Sequence, residues 1–227
     1  LLQAFCKQNN INIQKANKHL DLLAISIGAD MVPLVEENRV LAQYGIEKLN
    51  QEPTLGIKAI ITNAKIERYV NMRDIGFSIG PRINAGGRVG KSSLGANLLL
   101  NDNPKKVFKI ASELNEFNKE RQILEKELLN KILSNKIDSS GPFIILSGDN
   151  WHEGIIGIIA SRIKDKYNKP SIIISFKDNI GKASARSIYG IDIGSLIISA
   201  TQNKILLKGG GHKMAGGFTI KKENMEK

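Results

Sequence analysis

Residues 143–176 read FIILSGDNWHEGIIGIIASRIKDKYNKPSIIISF. Two isoleucine-rich runs, 143–147 and 171–176, have the length of strands and are bounded by turn residues. Between them, residues 155–167 carry apolar positions at helical spacing. A strand, a helix and a second strand in that order point to an α/β domain. Toward the C-terminus, Lys177–Gly181 reads as a turn and KASARSI (182–188) as a strand. A helix is expected at about 192–202, a glycine-rich loop at 208–211 and a last strand at 217–220. The order β-α-β-β-α-β is predicted over roughly 85 residues.

Toward the N-terminus the pattern is helical. Asn103-Pro104 opens a helix predicted to run to Ile137, with an apolar stripe of Val107, Ile110, Leu114, Phe117, Ile123, Leu124, Leu128 and Ile132. It is far longer than the average helix of about 11–12 residues. A long helix with a narrow apolar stripe often bridges domains. Before it come a short helix at 92–101, capped by Ser92 or Ser93, and a segment dense in Gly and Arg at 73–91. Helices are expected at 36–50, 55–64 and 65–72, with Glu67 and Arg68 exposed. The run HLDLLAISIGA (19–29) fits either a buried helix or a buried strand. Residues 1–8 read as the end of a helix.

The 227 residues include 33 Lys and Arg against 22 Asp and Glu, a formal charge of +11, with a sequence pI near 9.7. That surplus favours a polyanionic partner, either nucleic acid or an anionic membrane surface. One cysteine, Cys6, excludes an internal disulfide, and no Cys/His zinc spacing occurs; both fit a reducing cytoplasm. No apolar run reaches the roughly 18 residues that would span a bilayer. Residues 1–10 lack a basic region ahead of an apolar one, so they are no signal peptide. The absence of an initiator Met suggests a piece of a longer chain.

Five segments carry residues suited to chemistry. In GPRINAGGRVGK (80–91), Arg82, Arg88 and Lys91 stand among glycines. Planar guanidinium forks match phosphate oxygens, glycines permit close approach, and Asn84 adds an amide; the plain alternative is a solvated loop. In KASARSI, alternation puts Ser184 and Arg186 on one side of a strand, where together they can hold a phosphate or carboxylate; without further context the favoured reading is an edge strand with an exposed Arg. In KGGGHKMAGG (208–217), successive N–H groups of Gly209, Gly210 and Gly211 can form an anion-binding nest beside His212. In GDNWHEG (148–154), Asp149, His152 and Glu153 are potential metal ligands or acid/base groups, Asp149 a potential cap, Gly154 an opening to the helix N-terminus, and Trp151 a base-stacking surface or a buried anchor. The preferred reading there is a structural helix start with His152 near the site. In ISIGADMVPL (25–34), Asp30 ends an apolar run, as metal ligands do at strand ends of open α/β sheets; a turn Asp is the alternative.

Taken in chain order, ISIGADMVPL, GPRINAGGRVGK, GDNWHEG, KASARSI and KGGGHKMAGG resemble the RecJ exonucleases of the DHH phosphoesterase superfamily over nearly the whole chain, and the three C-terminal segments (148–154, 182–188 and 208–217) resemble the DHHA1 domain. The resemblance implies the end of a DHH domain at 1–35, a helical connector with the long bridging helix at 36–138, and a DHHA1 α/β domain with a mixed sheet at 139–227. It implies metal-dependent hydrolysis of single-stranded DNA from the 5′ end, in repair and recombination. Asp30 is then a ligand of catalytic Mn²⁺ or Mg²⁺. Arg82, Asn84 and Arg88 contact the strand. Ser184 and Arg186 hold phosphate near the 5′ end. Gly209, Gly210, Gly211 and His212 lie beside the scissile phosphate, and DNA threads between the two domains.

No Asp-His-His occurs, and His19 matches no metal motif of the family. One carboxylate cannot hold a two-metal pair, so the chain alone is expected to bind but not to cleave, and a complementary N-terminal half is an expected partner. Rival readings are a DHH-family phosphodiesterase for short oligonucleotides or cyclic dinucleotides, and a non-catalytic single-strand-binding module. A module of alanyl-tRNA synthetases is a weaker rival, which GADMVPL disfavours.

Overall fold

A computed structural model describes residues 2–12 and 14–226. The chain divides into two compact units, Leu1–Glu120 and Arg121–Lys227.

The first unit is helical among its described residues. Helices α1 (Leu2–Gln8), α2 (Gln14–Asn17) and α3 (Leu20–Ala29) are followed by α4 (Glu36–Gln51) and α5 (Leu55–Asn63). The ambiguous run at 19–29 is therefore a helix. It ends in a Schellman turn: Met31 adopts φ 52° and the Val32 N–H reaches the Ile27 carbonyl at 3.0 Å. Asp21 is fully buried in α3, and its carboxylate accepts the N–H groups of Leu22 and Thr54, pinning the start of α5. A second helix at 65–72 is not formed. Lys65 turns to φ 55° and residues 65–71 are irregular. The next helix, α6 (Met72–Asp74), begins with a capping box between Asn71 and Asp74.

Helix α6 continues through a π-helical segment, Ile75–Ile79, into α7 (Gly80–Val89). Pro81 explains the widened turn. It has no N–H to give to the carbonyl four residues back, and its ring would press on that carbonyl; a π turn relieves both. Residues 80–91 are thus mostly helix, which removes the plain alternative of a solvated loop. Helix α8 (Leu94–Leu100) follows, and Ser93 stands at its cap without a side-chain hydrogen bond. Ile57, Ile60, Ile75, Ile79, Leu98 and Leu114 fill the core of this unit.

Helix α9 (Pro104–Leu133) stops four residues before the predicted end, and the boundary between the units falls inside it. Ile123 departs from the expected stripe and is 58% exposed, while Glu125 is buried. Glu125 takes Arg121 at 2.8 Å and Arg162 at 3.1 Å.

The second unit is an α/β domain, as the sequence indicates. Strands β1 (Ile144–Asp149), β2 (Ser171–Lys177), β3 (Ile180–Arg186), β4 (Lys208–His212) and β5 (Ala215–Lys221) form one mixed sheet in the order β1-β2-β3-β5-β4. β1 and β2 are parallel, and every other pair is antiparallel. Helix α10 (Glu153–Tyr167) packs on β2 and β3, and α11 (Ile193–Gln202) joins Ile174, Phe176, Ala183, Ala185 and Ile220 in a core on the opposite face. Two expectations change. The glycine-rich segment 208–211 is a strand, adding a β-hairpin to the predicted order, and β3 is the central strand, not an edge.

Candidate nucleic-acid interface

The strand register lays out one face of the second unit residue by residue. Lys182, Thr219 and Lys208 are neighbours across β3, β5 and β4; so are Ser184, Gly217 and Gly210; so are Arg186, Ala215 and His212. Residues paired across a sheet point to the same side, and residues two apart along a strand do so as well. These nine positions therefore share the face on which α10 lies. That helix reaches β2 and β3, and on the same face Lys182, Gly217, Lys208 and His212 are exposed. A Cβ built on Gly210 would meet nothing within 4 Å, and one on Gly217 only the Ala183 carbonyl of the next strand at 3.3 Å. The result is a floor of bare backbone with cations at both ends.

Arg186 is set into the wall of this floor. Its Nη1 donates to Ser184 Oγ at 3.1 Å and to the Ala185 carbonyl at 2.8 Å. Ser184 and Arg186 thus share a side, as strand alternation requires. Gly157 of α10 is the residue beneath them: a Cβ there would stand 3.0 Å from Ser184 Oγ and 3.2 Å from Arg186 Nη2. Ser187 is buried, and its hydroxyl donates to the Ile191 carbonyl at 2.8 Å, so it belongs to the turn after β3.

The three consecutive glycines divide by face. Gly210 lies on the open floor. Gly209 and Gly211 pair with Phe218 and Gly216 on the α11 side, where a Cβ on Gly209 would stand 2.6 Å from Ile197 and one on Gly211 would strike the Ala215 carbonyl. The nest expected of 209–211 does not form, because a nest needs alternating backbone hands and these residues are extended in a ladder. Gly217, Lys182, Lys208, Thr219 and Gly157 were not singled out from sequence. For the four strand residues the signal is the register of a β3-β5-β4 ladder, hidden while 208–211 reads as a loop; Gly157 is marked only by its place on α10 against Ser184 and Arg186.

Both histidines of this unit are held in the same way. His152 caps α10, its Nδ1 accepting the Gly154 N–H at 3.1 Å, and His212 Nδ1 accepts the Met214 N–H at 3.3 Å. In the neutral ring the proton then sits on Nε2, and both side chains are exposed. Asp149 does not cap; it ends β1 and lies 3.5 Å from Lys222, while Glu153 pairs with Lys182 at 2.7 Å. His152 therefore stands at the Lys182 end of the floor, across from Arg186 and His212. Trp151 packs on Gly148, and its carbonyl accepts the Ser175 hydroxyl at 2.6 Å.

In the first unit, close packing brings two of the sequence segments together. A Cβ on Gly80 would stand 2.9 Å from Ala29 Cβ, and one on Gly28 would stand 2.6 Å from Ile75, so the end of α3 sits against the start of α7. Asp30 is exposed in that turn. Its expected position at a strand end is replaced by a helix C-terminus, where the partial negative charge of the helix adds to the carboxylate and favours a cation. On α7, Asn84 and Arg88 are exposed and lie roughly 40° apart around the axis. Arg82 is turned about 160° from Asn84. It donates from Nε to Asn115 at 3.0 Å and from Nη1 to the Ser78 carbonyl at 2.8 Å, so it ties the widened turn to α9. Arg68 and Asp74 lock the same region through a two-pronged pair at 2.7 and 2.8 Å. Arg68 beside it holds the Asp74 carboxyl below the usual carboxylate range, against a smaller opposing effect of burial.

A two-metal centre needs several convergent carboxylates and imidazoles. Among the described residues no group of three or more His, Cys, Asp or Glu could hold a metal ion. Asp30 alone does not fit such a centre.

Residues 140–227 match the DHHA1 domain family. The chain is 37% identical over 217 residues to the single-stranded-DNA-specific exonuclease RecJ of Haemophilus influenzae, covering 90% of this chain and 38% of that protein. It is 32% identical to the corresponding Escherichia coli protein, covering 99% of this chain and 41% of the relative. The crystal structure of RecJ from Thermus thermophilus in complex with Mg²⁺ superposes with a TM-score of 0.84 at 29% identity, over 97% of this chain and 34% of that one. A Mn²⁺ complex from the same organism gives a TM-score of 0.85 at 28% identity, over 97% of this chain and 32% of that one. The chain spans about two fifths of the length of these two curated relatives.

Proposed function

Given that the chain is RecJ-like over nearly all of its length and carries a DHHA1 domain, we propose that it is the strand-gripping portion of a 5′-to-3′ exonuclease for single-stranded DNA. The observation that carries this reading is the open floor. Gly217 and Gly210 let a sugar–phosphate chain approach the backbone, and Arg186 and His212 stand beside it with N–H groups for phosphate oxygens. Nothing on the floor reads a base edge, so binding is sequence-tolerant and weakens steeply with salt. Asn84 and Arg88 supply further backbone contacts from α7, Arg82 supports that helix, and Asp30 contributes one carboxylate to a divalent metal site whose other ligands are not among these residues. Hydrolysis therefore requires more than the chain provides. Anisotropy titration of 5′-phosphorylated oligothymidylate onto the purified chain tests the proposal, beside a Mn²⁺-supported cleavage assay. Salt-sensitive binding without cutting is expected, with Arg186→Ala weakening binding about tenfold. Absence of binding at low salt, or robust cutting by the chain alone, would refute it.

A further inference from the structure

The floor has a second charged end that the RecJ reading leaves without a role. Along β3 and β4, Lys182 lies four positions before Arg186 and Lys208 four positions before His212. At about 3.4 Å per residue, the two cationic rows stand roughly 13 Å apart. Between them the floor is Ser184, Gly217 and Gly210, with no side chain larger than a hydroxymethyl group. Lys208 is exposed and forms no ion pair among the described residues. Lys182 is held by Glu153, with both side chains at least half exposed. His152, next to Glu153, presents its Nε2 at the same end.

A single phosphate site needs only one of these ends. Two cationic ends joined by bare backbone suit a longer polyanion, on the order of two extended nucleotides from one end to the other. Resting on the function proposed above, we infer that Lys208, Lys182 and Thr219 form a second backbone-phosphate position, downstream of the one at Arg186 and His212. The strand runs along the floor between them. The Glu153 carboxylate competes with that phosphate for Lys182, so this end is the weaker of the two.

The second position predicts a dependence on ligand length. The chain is titrated with a 5′-phosphorylated thymidine dinucleotide and with an oligothymidylate of roughly six residues. Lys208→Ala leaves dinucleotide affinity unchanged and weakens the longer ligand about three- to tenfold, lowering its salt slope by about 0.7. Glu153→Gln does the opposite, tightening the longer ligand about threefold by freeing Lys182. If Arg186→Ala weakens both ligands while Lys208→Ala changes neither, the second position is wrong and the function stands. If Lys208→Ala weakens both ligands equally, the two ends are one site and the inference fails. If the wild-type chain binds neither ligand, the function falls and the inference with it.

Discussion

Arg186 Nη2 lies 3.2 Å from the point where a Cβ on Gly157 would stand, so the absence of a side chain on α10 leaves room for this guanidinium beside the helix. Gly157 is a positioning residue, and its replacement separates stability from binding. Alanine is better than glycine in a helix interior by about 1 kcal/mol, and the new methyl demands only a few tenths of an ångström from Ser184 and Arg186. Gly157→Ala is expected to keep or raise Tm and to weaken oligonucleotide binding several-fold by displacing Arg186. Unchanged affinity at unchanged Tm would show that Arg186 does not need this seat.

Gly210 and Gly211 make a paired test of the floor. A methyl on Gly210 points into open space, whereas one on Gly211 strikes the Ala215 carbonyl. Gly210→Ala should fold with equal or greater stability, because glycine weakens a strand interior, and should bind DNA more weakly as the backbone becomes harder to approach. Gly211→Ala should lower Tm by several degrees, the response to about 1–2 kcal/mol of overpacking in a unit of this size. Reversed behaviour in thermal melts would mean the register assigned to β4 is off by one residue.

The α/β half was legible because isoleucine-rich runs with Pro and Gly boundaries specify strands almost alone, and Ser184 and Arg186 fell on one face by alternation. What stayed hidden has a physical cause in each case. A strand of Lys-Gly-Gly-Gly-His offers no β-branched or aromatic residue, so its pairing with β5 is invisible until the partner is known. GPRINAGGR looks like a loop because helix propensity counts its glycines and proline as breakers. In the fold, Gly80 is needed for contact with Ala29, and a π turn absorbs Pro81. Asp74 carries no signal in the sequence because its partner Arg68 stands on an irregular segment whose apolar spacing reads as helix.

The Asp74 lock carries a pH signature. Arg68 holds the folded-state pKa of Asp74 below its unfolded value, so the pair contributes fully above the unfolded value of about 3.9 and loses its contribution as pH falls through the lower folded value. Asp74→Asn should therefore lower Tm at pH 7 and lower it much less near pH 3. Asn71→Ala, which removes only the cap, should cost about 1 kcal/mol across that range. Equal Asp74→Asn effects at both pH values, followed by circular dichroism, would show that the ion pair contributes nothing.

Glu125 sets a contrast between two arginines in the second unit. Its side chain is 11% exposed; Arg121, at 12%, is equally enclosed, while Arg162 is 60% exposed. Removing the exposed partner leaves a pair intact, and Arg162→Ala should cost no more than about 1 kcal/mol. Glu125→Ala removes from an enclosed site the carboxylate that both arginines share, and it is expected to cost clearly more than Arg162→Ala, about 2 kcal/mol or above. Replacing Glu125 and Arg121 together by Leu and Met should recover most of that loss, since the desolvation cost disappears with the charges. Denaturant melts of the three variants decide the matter. If Arg162→Ala proved as damaging as Glu125→Ala, the stabilising partner would be the solvent-facing arginine, and the enclosed one would be held by packing of its aliphatic stem rather than by charge.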